Sequence, residues 1–358
     1  MWIAIAVRVR DSAKIEQITK SPLLIEGAKK KNIHTIVHMA RNSSNLKKAW
    51  VAKNDEFYTR LEDIESELRV YGRKCGHFKD KVILCPCDES EHTNFYKHFM
   101  MNFEEYGIKK LICVGFRTNR PAEVHIVEKI DGGIVEKNVQ LVGNGDFRNE
   151  ETQKFFDECD VVVTNPPFSL FREFVTLIIE KNKKFLIIGN KNAVGSKEIF
   201  PLVKKNLVWL GYTSPSKFIQ LESDEMKNMT GLTRWFTNLE IPKRTEKFDT
   251  RIEFEYGNAK GWYQKFDNYD AINVNETKQI PMNYDGLMGV PITFLDKYNP
   301  EQFDIVGLFN RYSECDYENG FICGEKAEYV DSSGKILRSA GPVAGRKSLY
   351  NRILIKRK

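Results

Sequence analysis

The run Asp160-Val161-Val162-Val163-Thr164-Asn165-Pro166-Pro167-Phe168 carries the residues with the clearest chemical use. The Asn165 side chain ends in an amide carbonyl, and Pro166 supplies a backbone carbonyl beside it. Two such acceptors can take both N–H bonds of an exocyclic amine. An aromatic amine is a weak nucleophile because its lone pair is delocalised into the ring. Accepting both of its N–H bonds draws that pair out of conjugation, and Phe168 offers a face on which the ring can stack. The chemistry this suits is attack by a ring amine on an activated methyl group. Such a site works by positioning and fixed dipoles, so it needs neither a metal nor a covalent intermediate.

Those groups must be held by the elements around them. Asp160 to Thr164 reads as a buried strand, because consecutive valines suit a parallel strand covered on both faces. The proline pair ends it, since proline has no N–H for a ladder. Asn165 then sits at the carboxyl end of a strand, where open α/β sheets bind ligands. Ser169 is the expected cap of a following helix whose apolar stripe is Phe171, Phe174, Val175 and Ile178. A strand-ending turn in which Asn165 caps its own backbone is the competing reading.

Asn165-Pro166-Pro167-Phe168 resembles motif IV of amino-methyltransferases that use S-adenosylmethionine. Extended through Ser169, Leu170, Phe171 and Arg172 to Glu173, the string is similar to the EcoRI-type DNA adenine methyltransferases. The resemblance runs from Met39 onward and includes Asp267–Asn275 and Gly289–Leu295. It implies a doubly wound, mainly parallel, seven-stranded Rossmann-like sheet in an α/β fold, with C-terminal DNA-recognition insertions. It implies S-adenosylmethionine as cofactor and double-stranded DNA as partner, with the target adenine flipped out for transfer to its 6-amino group. Catalytic roles fall to Asn165, Pro166, Pro167 and Phe168. Phe57, Tyr58 and Thr59 correspond to motif X at the methionine end of the cofactor. Asp88 lies in the motif I loop, which lacks the usual glycines, and Asp146 and Phe147 lie in a Gly-Asp-Phe resembling motif III. Trp235 and Phe236 resemble motif VIII, the wall of the target-base pocket, with plain core packing as the alternative. Asn268, Asn273 and Asn275 are the candidates for reading DNA. No metal ligand is expected. The implied enzyme is a cytoplasmic modification methyltransferase, a monomer on DNA, with a cognate restriction endonuclease as a further partner. The competing functions are a methyltransferase of RNA or of a protein glutamine amide, and a catalytically inactive DNA-binding relative.

The chain divides in this reading into residues 1–38, an extension of unassigned role; 39–240, the catalytic domain; and 241–358, a target-recognition region. Its 358 residues hold 55 Lys and Arg against 49 Asp and Glu, a net charge of +6 that fits a nucleic-acid partner without demanding one. The 7 cysteines are scattered, and their odd number suits a reducing compartment. Strands are expected at Lys81–Cys85, Lys110–Gly115, Lys184–Asn190 and Leu207–Leu210, with helices at Glu62–Tyr71, Glu91–Tyr106 and Ser196–Lys205. A hairpin is expected across Val124–Val142, turning at Asp131-Gly132-Gly133. Tyr212–Gly231 shows no periodicity and reads as a loop. The basic end, from Arg338 to Lys358, reads as a charged tail able to follow phosphates.

Overall fold

The computed structural model describes residues 57–88, 93–220, 226–310 and 315–358. Residues 1–38 and the loop positions Glu89 and Ser90 lie outside them, as do the expectations attached to them. In chain order the first elements are β1 (Phe57–Thr59), α1 (Leu61–Arg69), β2 (Val82–Cys85), α2 (Asn94–Met101), β3 (Lys110–Val114), β4 (Glu123–Ile130) and β5 (Gly133–Gln140). They are followed by α3 (Glu150–Glu158), β6 (Val161–Thr164), α4 (Phe171–Glu180), β7 (Lys184–Asn190), α5 (Phe200–Lys204), β8 (Trp209–Leu210), β9 (Lys217–Gln220), β10 (Met226–Asn228) and β11 (Thr233–Thr237).

The main sheet has eight strands in the order β5-β4-β3-β2-β6-β7-β11-β8. Its centre is parallel: β2 pairs in parallel with both β3 and β6, and β6 with β7. Both flanks are antiparallel, through the β4–β5 hairpin on one side and β11 on the other. The strand count and the extent of antiparallel pairing therefore exceed the sequence expectation. The hairpin turn uses positive φ at Asp131 (49°) and Gly132 (81°), as a two-residue turn matched to strand twist requires.

Side-chain alternation sorts the central strands onto two cores. Ile83, Cys85, Val161, Val163, Leu186 and Ile188 face α1 and α2, meeting Ile64, Leu68, Phe95 and Phe99. Leu84, Val162, Phe185 and Ile187 face α3 and α4, meeting Phe156, Phe171, Phe174 and Ile178. Both faces of the parallel centre are covered, which is why its strands read as continuous apolar runs. Ser169 does not cap α4: Pro167 O accepts from Leu170 N at 2.9 Å, and the resulting turn delays the helix until Phe171, with Leu170 at the cap position. Likewise the helix expected from Ser196 is confined to α5, and Ser196 Oγ accepts from Ile199 N ahead of it.

The stretch read as a loop after Tyr212 contains β9 and β10. They form a three-stranded sheet with β1, in the order β1-β9-β10. The basic end is also different from expectation. Arg352–Arg357 is an inner strand of a six-stranded sheet, flanked by Met288–Val290 and Phe303–Phe309, with Ile353, Leu354 and Ile355 fully buried. Arg357 lies over the Phe303 ring at 4.8 Å, so this charge serves packing. This second sheet joins the core on the α3–α4 side, where Phe200 of α5 meets Phe321 with ring centroids 5.5 Å apart. Cys315 and Cys323 form a disulfide with Cα atoms 5.4 Å apart, and Cys75, Cys85, Cys87, Cys113 and Cys159 are not disulfide-bonded. Among the described residues no helix is long and apolar enough to cross a membrane.

Candidate active site

From β2 the chain crosses through α2 to β3 on one side, whereas β6 lies against the other edge of β2 and leads through α4 to β7. The carboxyl ends of β2 and β6 thus flank a point where connections leave in opposite directions, and open α/β sheets have their ligand crevice there. Asp88 follows β2 and Asn165 follows β6. Thr164, the last residue of β6, joins the two by donating Oγ1 to Asp88 Oδ2 at 2.6 Å. Asp88 N donates to Val114 O at 3.1 Å, fixing the same loop to the end of β3.

Asp88 is buried, and burial pushes its carboxyl from 3.8 up to about 7, with the Thr164 hydrogen bond working in the opposite direction. A cation placed beside it would restore the charged form. Thr59, at the end of β1, is also buried, and its Oγ1 has no hydrogen-bond partner among the described residues. Its carbonyl accepts from Asn94 Nδ2, at the first residue of α2, at 2.8 Å. A buried acid and an unpaired buried hydroxyl fit the ammonium and carboxylate of an amino-acid moiety, so the residues present suit the methionine end of S-adenosylmethionine. Phe57 and Tyr58 lend backbone to β1, but their side chains lie outside the described part.

Asn165, Pro167 and Phe168 are half-buried and Pro166 is buried, with Asn165 Oδ1 out of contact with solvent. Phe168 lines a cavity of about 320 Å³ together with Phe171, Arg172, Asn190, Asn192 and Ser196. Phe168 also meets Phe218 of β9 edge-on, with ring centroids 6.3 Å apart.

Asp146 and Phe147 are placed with less freedom. Asp146 Oδ1 accepts from Arg148 Nε at 2.8 Å and from Arg148 N at 3.0 Å, while Oδ2 takes the other arm of the guanidinium. One lone-pair position therefore remains on a carboxylate that offers about four. Phe147 packs edge-on against Phe174 at 4.9 Å. The loop is held by Arg117 N donating to Asn144 O and Ala122 N to Gly143 O, and Gly145, at φ 77°, has no room for a Cβ against the Gly115 carbonyl.

Trp235 and Phe236 point to opposite faces of the main sheet, and both are completely buried. Trp235 contacts Phe95 edge-on at 6.1 Å, and its Nε1 has no partner among the described residues; Phe236 packs on Phe171 at 4.9 Å. Asn268 is turned inward: its Nδ2 donates to Glu325 O at 2.9 Å and Gly341 O at 2.8 Å, which ties three segments together. Asn273 is buried between Arg352 Nε, which donates to it at 2.9 Å, and Asn275 Oδ1, to which it donates at 2.9 Å. Asn275 is exposed.

Sequence reasoning missed Thr164, Glu67 and Phe218. Glu67 on α1 is fully buried and accepts from Tyr212 N at 2.7 Å, Thr213 N at 2.6 Å, Thr213 Oγ1 at 2.7 Å and Tyr71 Oη at 3.1 Å. Burial raises its carboxyl above the usual range in spite of these four donors. Its signal in the sequence was faint, a single acid at an apolar position of an amphipathic helix.

Together these features define an α/β protein in which a buried acid and an Asn-Pro-Pro-Phe turn follow the two strands at the switch point of its sheet. Residues 45–358 match the family described as adenine-specific methyltransferase EcoRI, and the chain belongs to that family. It is 42% identical over 300 residues to the type II methyltransferase M.EcoRI of Escherichia coli, covering 75% of this chain and 90% of that protein. It is 37% identical over 312 residues to M.MgeORF184P of Mycoplasma genitalium, covering 81% and 95%, and 37% identical over 305 residues to M.MpnI of Mycoplasma pneumoniae, covering 79% and 92%. Among solved structures, YeaZ from Pseudomonas aeruginosa aligns at 10% identity and a TM-score of 0.16, over 38% of this chain and 71% of that one, a likeness that carries no argument.

Proposed function

We propose that the protein transfers a methyl group from S-adenosylmethionine to the 6-amino group of an adenine flipped out of duplex DNA. The observation that carries this is the junction at the switch point, where Thr164 binds Asp88 at 2.6 Å and so brings the β2 loop against the Asn165 turn. When bound, the cofactor supplies a methyl group on a positively charged sulfur. Asp88 holds the cofactor's ammonium, and Thr59 Oγ1 takes a hydrogen bond from it or gives one to its carboxylate. Asp146 accepts from the cofactor's adenine amine with its remaining lone pair, and Phe147 borders that ring.

The target base is held by different groups. Asn165 Oδ1 and the Pro166 carbonyl accept its two amine N–H bonds, Pro167 fixes the turn, and Phe168 stacks on the ring. A paired, stacked adenine cannot reach these acceptors, so the reaction requires flipping. The sheet corresponds in this reading to a seven-position methyltransferase sheet in which the β4–β5 hairpin occupies one edge position. Residues 241–358 form the recognition region, with Asn275 facing DNA and Asn268 and Asn273 shaping the surface from beneath. The setting is a restriction-modification system in which a monomer protects the site of a cognate nuclease. Tritiated S-adenosylmethionine offered with duplex DNA, RNA and protein tests the substrate class: label in DNA supports the proposal, and label in RNA or protein refutes it.

A further inference from the structure

Phe218 lies outside the residues assigned above, yet it joins two parts of the site. In β9 it is the pairing partner of Thr59 in β1, and its ring meets Phe168. It is fully buried. The loop entering β9 is fastened to α1 by Glu67, which accepts from Tyr212 N and Thr213 N. Lys243 Nζ donates to Gly211 O at 2.9 Å on the same loop. α1 begins two residues after Thr59, so β1, α1 and β9 are joined both by strand pairing and by a buried carboxylate. A displacement of Thr59 is therefore transmitted to the backbone of Phe218 across one pair of the ladder. From there it reaches the plane of the Phe168 ring through an edge-to-face contact, whose geometry is directional.

We infer that Phe218 is a positioning residue that couples occupancy of the cofactor strand to the seat of the target base. Cofactor bound at Thr59 sets β9, and β9 sets Phe168. This rests on the reading that Phe168 faces the base and Thr59 the cofactor. The coupling is reciprocal, so DNA carrying the site tightens cofactor binding by the same factor as cofactor tightens DNA binding.

The test uses the full chain, a duplex bearing the methylated site with 2-aminopurine at the target position, and S-adenosylhomocysteine as the cofactor probe. For the wild type, S-adenosylhomocysteine is expected to raise both DNA affinity and 2-aminopurine emission. Phe218→Leu is expected to cut that enhancement and kcat by about two- to ten-fold, the range of an aromatic pair. Its affinity for S-adenosylhomocysteine without DNA, and its KM for cofactor, should change less than two-fold. Phe218→Tyr, which keeps the ring, should restore the enhancement. If Phe218→Leu is unfolded, Phe218→Met replaces it, a ring-free side chain of more adaptable shape. A folded ring-free variant with the full enhancement overturns the inference, as does a wild type whose DNA capture is indifferent to S-adenosylhomocysteine. Asn165→Ala separates the two levels of the argument. If that variant keeps near wild-type turnover, the reading of the site itself fails; if its kcat falls by about 10²-fold or more while Phe218→Leu keeps full coupling, only the role of Phe218 falls.

Discussion

Asn165 owes its place to three neighbours: Thr164, which is hydrogen-bonded to Asp88; Pro166, which stops the strand; and the turn that Pro167 and Leu170 close ahead of α4. Its role should show in rate more than in binding. Asn165→Ala is expected to lower kcat by about 10²–10³-fold, as loss of one preorganised polar group typically does, with DNA and cofactor affinities nearly unchanged. Steady-state kinetics alongside calorimetry would check it, and near wild-type turnover would remove Asn165 from the mechanism. Asp88 gives a pH prediction. Its folded-state value of about 7 lies above the ordinary 3.8, so between those values the folded protein holds a proton that the unfolded chain has released. Stability without cofactor therefore falls as pH rises through that window. Cofactor affinity runs the opposite way, because a cation selects the ionised carboxylate; it should decline toward about ten-fold per pH unit below pH 7 and level off above. Asp88→Asn should flatten both profiles, raising Tm at pH 8 by a few degrees while weakening cofactor binding. A cofactor affinity independent of pH between 5 and 8 would contradict this role.

Elements differ in how far the sequence revealed them. β2, β3, β6 and β7 were legible because each is a short apolar run covered on both faces. The hairpin of β4 and β5 was legible from Asp131-Gly132 at its turn. β9 was not, since Lys217-Phe218-Ile219-Gln220 is too short for alternation to be read, and its partners β1 and β10 are equally short. The end strand Arg352–Arg357 was hidden by its flanking cations, although its centre is wholly apolar. Of the site, motif IV was visible as a string, whereas the Thr164–Asp88 bond spans 76 residues and has no local signature. Glu67 is the element-scale anchor. Glu67→Gln places an NH₂ among donors and should cost about 2–3 kcal/mol in urea unfolding, with faster amide exchange in β9 than in β7. Equal exchange in both strands would show that β9 is held without it. Asn268→Ala should cost about 1–3 kcal/mol by leaving the Glu325 and Gly341 carbonyls unpaired. A stability loss below that range would mean water replaces the amide.

At the scale of the whole molecule, the family match beginning at residue 45 bears on the segment before it. A chain beginning at Met39 is expected to fold and to methylate DNA as the longer one does; loss of solubility or activity would assign residues 1–38 a structural part. The net charge of +6 and the second sheet packed beside α5 suit the proposed grip on a duplex from which one base is flipped. The most direct test of that account is single-molecule sequencing of DNA from a methylation-free host expressing either the wild type or Asn165→Ala. N6-methyladenine is expected at one short defined sequence with the wild type, and at only a small fraction of those sites with the variant. Unmodified DNA with the wild type, or equal modification by the two, would contradict it.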